Sequence, residues 1–158
     1  MIKNTQCSHV NPLEKVRVGT PFDVEDAQKI ASMIVDPDGN GVNDFHQKTS
    51  SVLILAVILH VLYAEKDKTL HGVATFLEDT PTAKAAVEKM LDVEHDPEGK
   101  YHWKNQRGEQ VNVHPIIAQV AKEMSRRSEN ESSAVFSTAK LFLKPCLNPA
   151  DQPERCVP

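Results

Sequence analysis

Val52-Leu53-Ile54-Leu55-Ala56-Val57-Ile58-Leu59-His60-Val61-Leu62-Tyr63 is a run of twelve residues in which His60 is the one strongly polar side chain. A bilayer-spanning helix needs about 20 apolar residues, so this stretch is read as too short to span. It is apolar on every side and not along one stripe, which predicts a helix enclosed by other elements. Such a helix needs partners with apolar faces, and the flanking sequence supplies them. The whole chain has 158 residues, enough for one ordinary domain that buries roughly 70% of its unfolded surface.

Upstream, Thr20-Pro21-Phe22-Asp23 reads as a capped helix start, with proline at the first helical position. Val24, Ala27, Ile30, Ala31 and Ile34 follow as one stripe. Pro37 ends that helix, because the residue before a proline avoids helical geometry. The central helix is predicted from about Asp44 to Tyr63 or Ala64. Thr69 caps a third helix with Leu70, Val73, Ala74 and Leu77 inward, and Thr80-Pro81 opens a fourth through Leu91. Residues 92–113 are polar, with Pro97, Gly99 and Gly108, and read as a long loop. His114-Pro115 opens a fifth helix, and Ser128 with Glu131 forms a capping box for a sixth. Period-two β-branched runs are absent, so the fold class is all-α: a bundle of about six helices over residues 20–144. An irregular lead-in is expected over 1–19 and a disordered, proline-rich tail over 145–158.

The connector Ile34-Val35-Asp36-Pro37-Asp38-Gly39-Asn40-Gly41-Val42-Asn43-Asp44 has two readings. Counted from Asp36, a calcium loop would draw ligands from Asp36, Asp38, Asn40, Val42 (through its carbonyl) and Asp44, with glycine at the sixth position. The twelfth position is Gln47, an amide where a bidentate carboxylate is needed. Asp, Asn and Gly also favour turns without any cation, because they tolerate left-handed geometry and bond their own backbone. The connector reading is preferred, and an EF-hand-like weak calcium module is the alternative.

Other chemistry finds little support. His95, His102 and His114 are not at helical zinc spacing and read as solvated loop residues, whereas His60 needs a hydrogen-bond partner in the core. No glycine-rich phosphate loop, magnesium-binding strand or nucleophile elbow is present, so no cofactor, metal or catalytic residue is proposed. Three cysteines, Cys7, Cys146 and Cys156, lie near the ends and read as reduced thiols. The first residues lack the apolar core of a secretory signal. A net charge of −4 and an aromatic content of 5% argue against a dedicated nucleic-acid binder. Local basic groups remain: Lys122, Arg126 and Arg127 on one helix side, and Lys100, Lys104 and Arg107 in the long loop.

Several blocks, in order, carry a resemblance. Asn11-Pro12-Leu13-Glu14-Lys15-Val16-Arg17-Val18-Gly19-Thr20, Ile34 to Gly39, and Ile58 to Leu70 are similar to the TraG-type conjugative coupling proteins. Ser128-Glu129-Asn130-Glu131 with Ser137-Thr138-Ala139 extends the likeness, which covers roughly residues 9 to 143. The family consists of membrane-anchored hexameric ATPases of type IV secretion that link the relaxase–DNA complex to the transfer channel. The resemblance implies the all-α domain inserted in their motor, with 1–19 as a remnant of the motor flank. The family's phosphate loop, magnesium-binding acids and membrane helices have no counterpart in this sequence. The expectation is therefore a truncated, non-enzymatic, cytoplasmic recognition domain without membrane contact of its own. Its expected partners are relaxase or relaxosome accessory proteins and the parent motor domain, with single-stranded DNA as a weak further ligand. The partner-binding candidates are Lys122, Arg126, Arg127, Glu129, Glu131 and Trp103.

Overall fold

The computed structural model describes residues 11–41 and 44–147. Six α-helices follow one another: α1 (Asp23–Val35), α2 (Phe45–Ala64), α3 (Leu70–Asp79), α4 (Ala83–Leu91), α5 (Pro115–Arg126) and α6 (Glu129–Leu143). Among the described residues there is no strand, only one isolated antiparallel bridge between Lys104 and Gln110. The all-α bundle of six helices is therefore as expected.

α2 is the axis. It packs most extensively against α1 and α6, and also meets α3 and α5, while α4 lies on α5. From Ser50 to Leu62 only Val52 escapes burial. Each fully buried Leu, Ile or Val contributes roughly 1.5–3 kcal/mol of transfer free energy, so this helix organises the core. At 20 residues α2 is long and apolar enough by composition to cross a membrane, and 67% of its most apolar stretch is buried inside the bundle. The length argument from the twelve-residue run thus falls, because the helix continues through Phe45–Ser51. Its apolar side chains are instead covered by neighbouring helices.

The ends of the helices follow local chemistry, with two shifts from the sequence reading. Asp44, Thr69 and Ser128 cap α2, α3 and α6 through side-chain oxygens, and Ser128 with Glu131 completes the capping box. α1, however, begins at Asp23 and not at Pro21, and Thr20, expected as its cap, closes a preceding turn by donating its hydroxyl to the Arg17 carbonyl. α4 is capped by Thr82 and not by Thr80, which donates back to the carbonyls of Phe76 and Leu77.

The described part of the lead-in is fastened to the bundle. Pro12–Lys15 is a 3-10 turn, and Leu13 and Val16 are core residues, 1% and 6% exposed. Arg17 binds both carboxylate oxygens of Asp26. At the other end Lys144–Cys146 forms a second 3-10 turn that buries Cys146, so order runs past the expected boundary at 145. Cys7 and Cys156 lie outside the described residues.

Candidate functional site

The connector between α1 and α2 spends its acids on its own backbone. Asp36 accepts from the amides of Asn40 and Gly41, at 3.0 and 2.8 Å, and Asp44 accepts from Gln47. Gln47 in turn donates to the last α1 carbonyl, of Val35, at 2.6 Å. This is turn and cap chemistry. Asp38 and Asn40 are exposed, and Val42 lies outside the described residues. Among the described residues no group of three or more His, Cys, Asp or Glu side chains is placed to hold a metal ion.

Residues 92–113, expected to be a polar loop, are folded. The amides of His95 and Asp96 both donate to the Asn112 carbonyl, and the buried Asp96 carboxylate accepts from the amides of Lys100 and Tyr101. A small hairpin follows, closed by Val111 donating to Trp103 and Asn105 donating to Glu109. Its turn is held by the Asn105 side chain and by Gly108 at φ +79°. The segment therefore has an inner and an outer face.

The inner face buries two of the three histidines expected to be solvated: His95 and His114 are each 3% exposed. A buried imidazole must be paired, and both are. The His114 amide can only donate, so His95 accepts at Nδ1 and keeps its proton on Nε2. That proton goes to His60 Nδ1 at 3.0 Å, which leaves His60 Nε2–H to donate to Glu65 at 2.9 Å. Both rings are satisfied as neutral tautomers. Burial first, then the neighbouring His60 and His114, push His95 down to about 3. Burial also lowers His60, against the raising effect of Glu65.

A second buried set adjoins it. His114 Nε2 donates to Asp23 at 2.8 Å, and its Nδ1 accepts from the Ile116 amide to cap α5. Tyr63 donates its hydroxyl proton to the same Asp23 oxygen at 2.6 Å and accepts from the Gly19 amide. Burial pushes the Asp23 carboxyl up, but hydrogen bonds from His114, Tyr63 and the Val24 amide outweigh it and leave the group below its ordinary value. Burial and Asp23 raise the Tyr63 phenol well above its usual range. The rings of Tyr63, Tyr101, Trp103 and His114 pack edge-on or tilted at 4.7–5.8 Å. The sequence pattern Thr20-Pro21-Phe22-Asp23 places Asp23 in a helix cap. The signal for its actual place was its position one turn before Ala27 on the buried stripe of α1.

The partner candidates fall in three places. Trp103 is half-buried in that ring cluster. Arg127 is half-buried as well, its guanidinium 5.3 Å from the centre of the Phe45 ring, and it lines with Glu129 a hollow of about 560 Å³ beside the start of α4. Arg126, Glu129 and Glu131 are exposed, and Glu131 is engaged in the capping box. Lys122 lies on a larger open groove of about 1070 Å³ between the hairpin and α5, shared with Lys104 and Arg107 from the loop. Leu91, Val111, Val113 and Ala118 contribute its apolar surface, and Glu94 is the one acid in its lining. Among the described residues none of Lys104, Arg107 and Lys122 is in an ion pair.

A family profile described as "Type IV secretory system Conjugative DNA transfer" matches residues 2–150. The chain belongs to this conjugative DNA-transfer family. It is 38% identical over 135 residues to a conjugal transfer protein TraG of Escherichia coli, covering 84% of this chain. A second TraG of Escherichia coli is 38% identical over 137 residues. The chain spans about a fifth of the length of these curated relatives, 20% in each case. No solved structure matches it. In this TraG-like member the whole matched region, apart from residues outside those described, is helical bundle and folded loop.

Proposed function

We propose that this chain is the all-α, relaxosome-recognising part of a conjugative coupling protein, and that it works by binding and not by catalysis. The observation that carries this reading is the groove between the hairpin and α5, with Lys104, Arg107 and Lys122 unpaired among the described residues, on a chain of net charge −4. Cations concentrated against the sign of the whole molecule steer an oppositely charged partner and fix its orientation. The strongest cluster of perturbed titratable groups, around Asp23, His60, His95 and Tyr63, is buried among packed rings. That placement suits a scaffold better than a site for substrate. Family membership and likeness to conjugal transfer proteins name the setting.

On this reading the partners are a relaxase or its accessory proteins, with the motor domain of the parent protein beside it, at the cytoplasmic face of the membrane. Single-stranded DNA is at most a weak ligand. The test is retention of purified relaxase and accessory proteins of a TraG-encoding element on the immobilised chain. Retention of at least one, weakened by raised salt and by Lys122→Glu, is expected. Failure to retain any of them overturns the recognition role.

A further inference from the structure

We propose that the groove between the hairpin and α5 takes an acidic, extended segment of a partner protein with apolar side chains set among its carboxylates, and does not take a nucleic-acid backbone. This rests on the recognition reading and specifies what is recognised. Three features of the groove carry it. Lys104, Arg107 and Lys122 are unpaired among the described residues, against a single acid, Glu94, in the same lining. The cations come from two elements, the hairpin and α5, and do not run along one helix face. Apolar side chains share the lining with them: Leu91, 40% exposed at the end of α4, with Val111, Val113, Pro115 and Ala118.

That combination discriminates between ligands. A phosphate backbone needs cations but gains nothing from an apolar floor, and its bases need aromatic platforms. No aromatic ring lines the groove, because Tyr101 and Trp103 are turned into the cluster with Tyr63 and His114. A peptide that alternates carboxylates with leucine-sized side chains uses both properties at once. Its acids meet Lys104, Arg107 and Lys122, while its apolar groups cover Leu91 and Val111 and remove them from water. The amide side chains of Gln106 and Gln110 on the hairpin offer donors and acceptors to an extended backbone.

The experiment uses the full chain and four fluorescent probes. These are a short peptide of Asp and Glu interspersed with Leu, its Asn/Gln/Leu counterpart, an Asp/Glu/Ser counterpart, and a single-stranded oligonucleotide. Anisotropy is measured on the wild type, Lys104→Glu, Lys122→Glu and, as a control on α1, Lys29→Glu, each checked for unchanged helicity. The acidic leucine peptide is expected to bind best. Binding should fall about tenfold in each groove variant and stay unchanged in Lys29→Glu. Equal binding of the uncharged or serine peptides, binding indifferent to the groove variants, or preferred binding of the oligonucleotide overturns the proposal. Retention of relaxase that ignores Lys104→Glu and Lys122→Glu also overturns it, while leaving the recognition role standing. Peptide binding without any retention of relaxase or accessory proteins has the opposite meaning: the groove chemistry holds and the recognition role falls.

Discussion

Asp23 binds three donors from three parts of the chain: the hydroxyl of Tyr63 on α2, the imidazole of His114 at the head of α5, and the adjacent Val24 amide. Tyr63→Phe is expected to cost about 1–3 kcal/mol, because the half-buried Gly19 amide loses its acceptor and Asp23 loses one of the two donors on the oxygen that His114 also holds; a urea midpoint equal to the wild type would refute this. The neighbouring histidines set a pH dependence. In the unfolded chain they take up protons near 6.5, whereas burial holds His95 down to about 3 and lowers His60. The unfolded state therefore binds more protons as pH falls below about 6.5, and each group removes up to about 1.4 kcal/mol of stability per pH unit. Asp23 and Asp26 are held below their ordinary values, so their contribution fades only below about pH 4. Between about pH 6.5 and 4.5 the midpoint should thus fall with acid, and His95→Gln should flatten the slope.

At the scale of elements, α3 starts against the turn before it. Thr69 caps it through the Gly72 amide, and Gly72 lets the Asp67 carbonyl lie where a side chain would be: a Cβ there would be driven into that oxygen. Gly72→Ala normally stabilises a helix by about 1 kcal/mol. Here a net loss of roughly 1–3 kcal/mol is expected in thermal or urea unfolding, and a gain would show that the turn yields freely. This position also marks a limit of sequence reading. The Thr69 cap, the capping box at Ser128 and the start of α5 at His114 were legible, because a cap is a local pattern of a few residues. The choice of Thr82 over Thr80, and of Asp23 over Thr20, was not. Thr80 is buried and donates back to the carbonyls of Phe76 and Leu77, and the exposed Thr20 closes the turn at Arg17, so neither threonine caps the helix that follows.

Across the whole molecule, the segment before α1 behaves as part of the bundle. Leu13 and Val16 are in the core, Asn11 donates to the Lys68 carbonyl, and the Gly19 amide reaches Tyr63. The Tyr101 ring lies so close over Gly19, at φ +79°, that a Cβ there has no space. A chain beginning at Thr20 should therefore be less stable by at least about 3 kcal/mol, from two buried aliphatic side chains alone. Unfolding at an unchanged midpoint would restore the boundary expected at residue 20.

Sequence periodicity by itself determined the helical class, the number of helices and the central place of Val52–Tyr63. These follow from where apolar side chains recur along one chain, a property that needs no partner to be read. Only the tertiary structure decided that His95 and His114 are buried, that Asp23 answers Tyr63 and His114, and that Lys104, Arg107 and Lys122 share a groove. Each of these joins residues far apart in the chain, and a polar side chain has the same local signature whether it faces water or a buried partner.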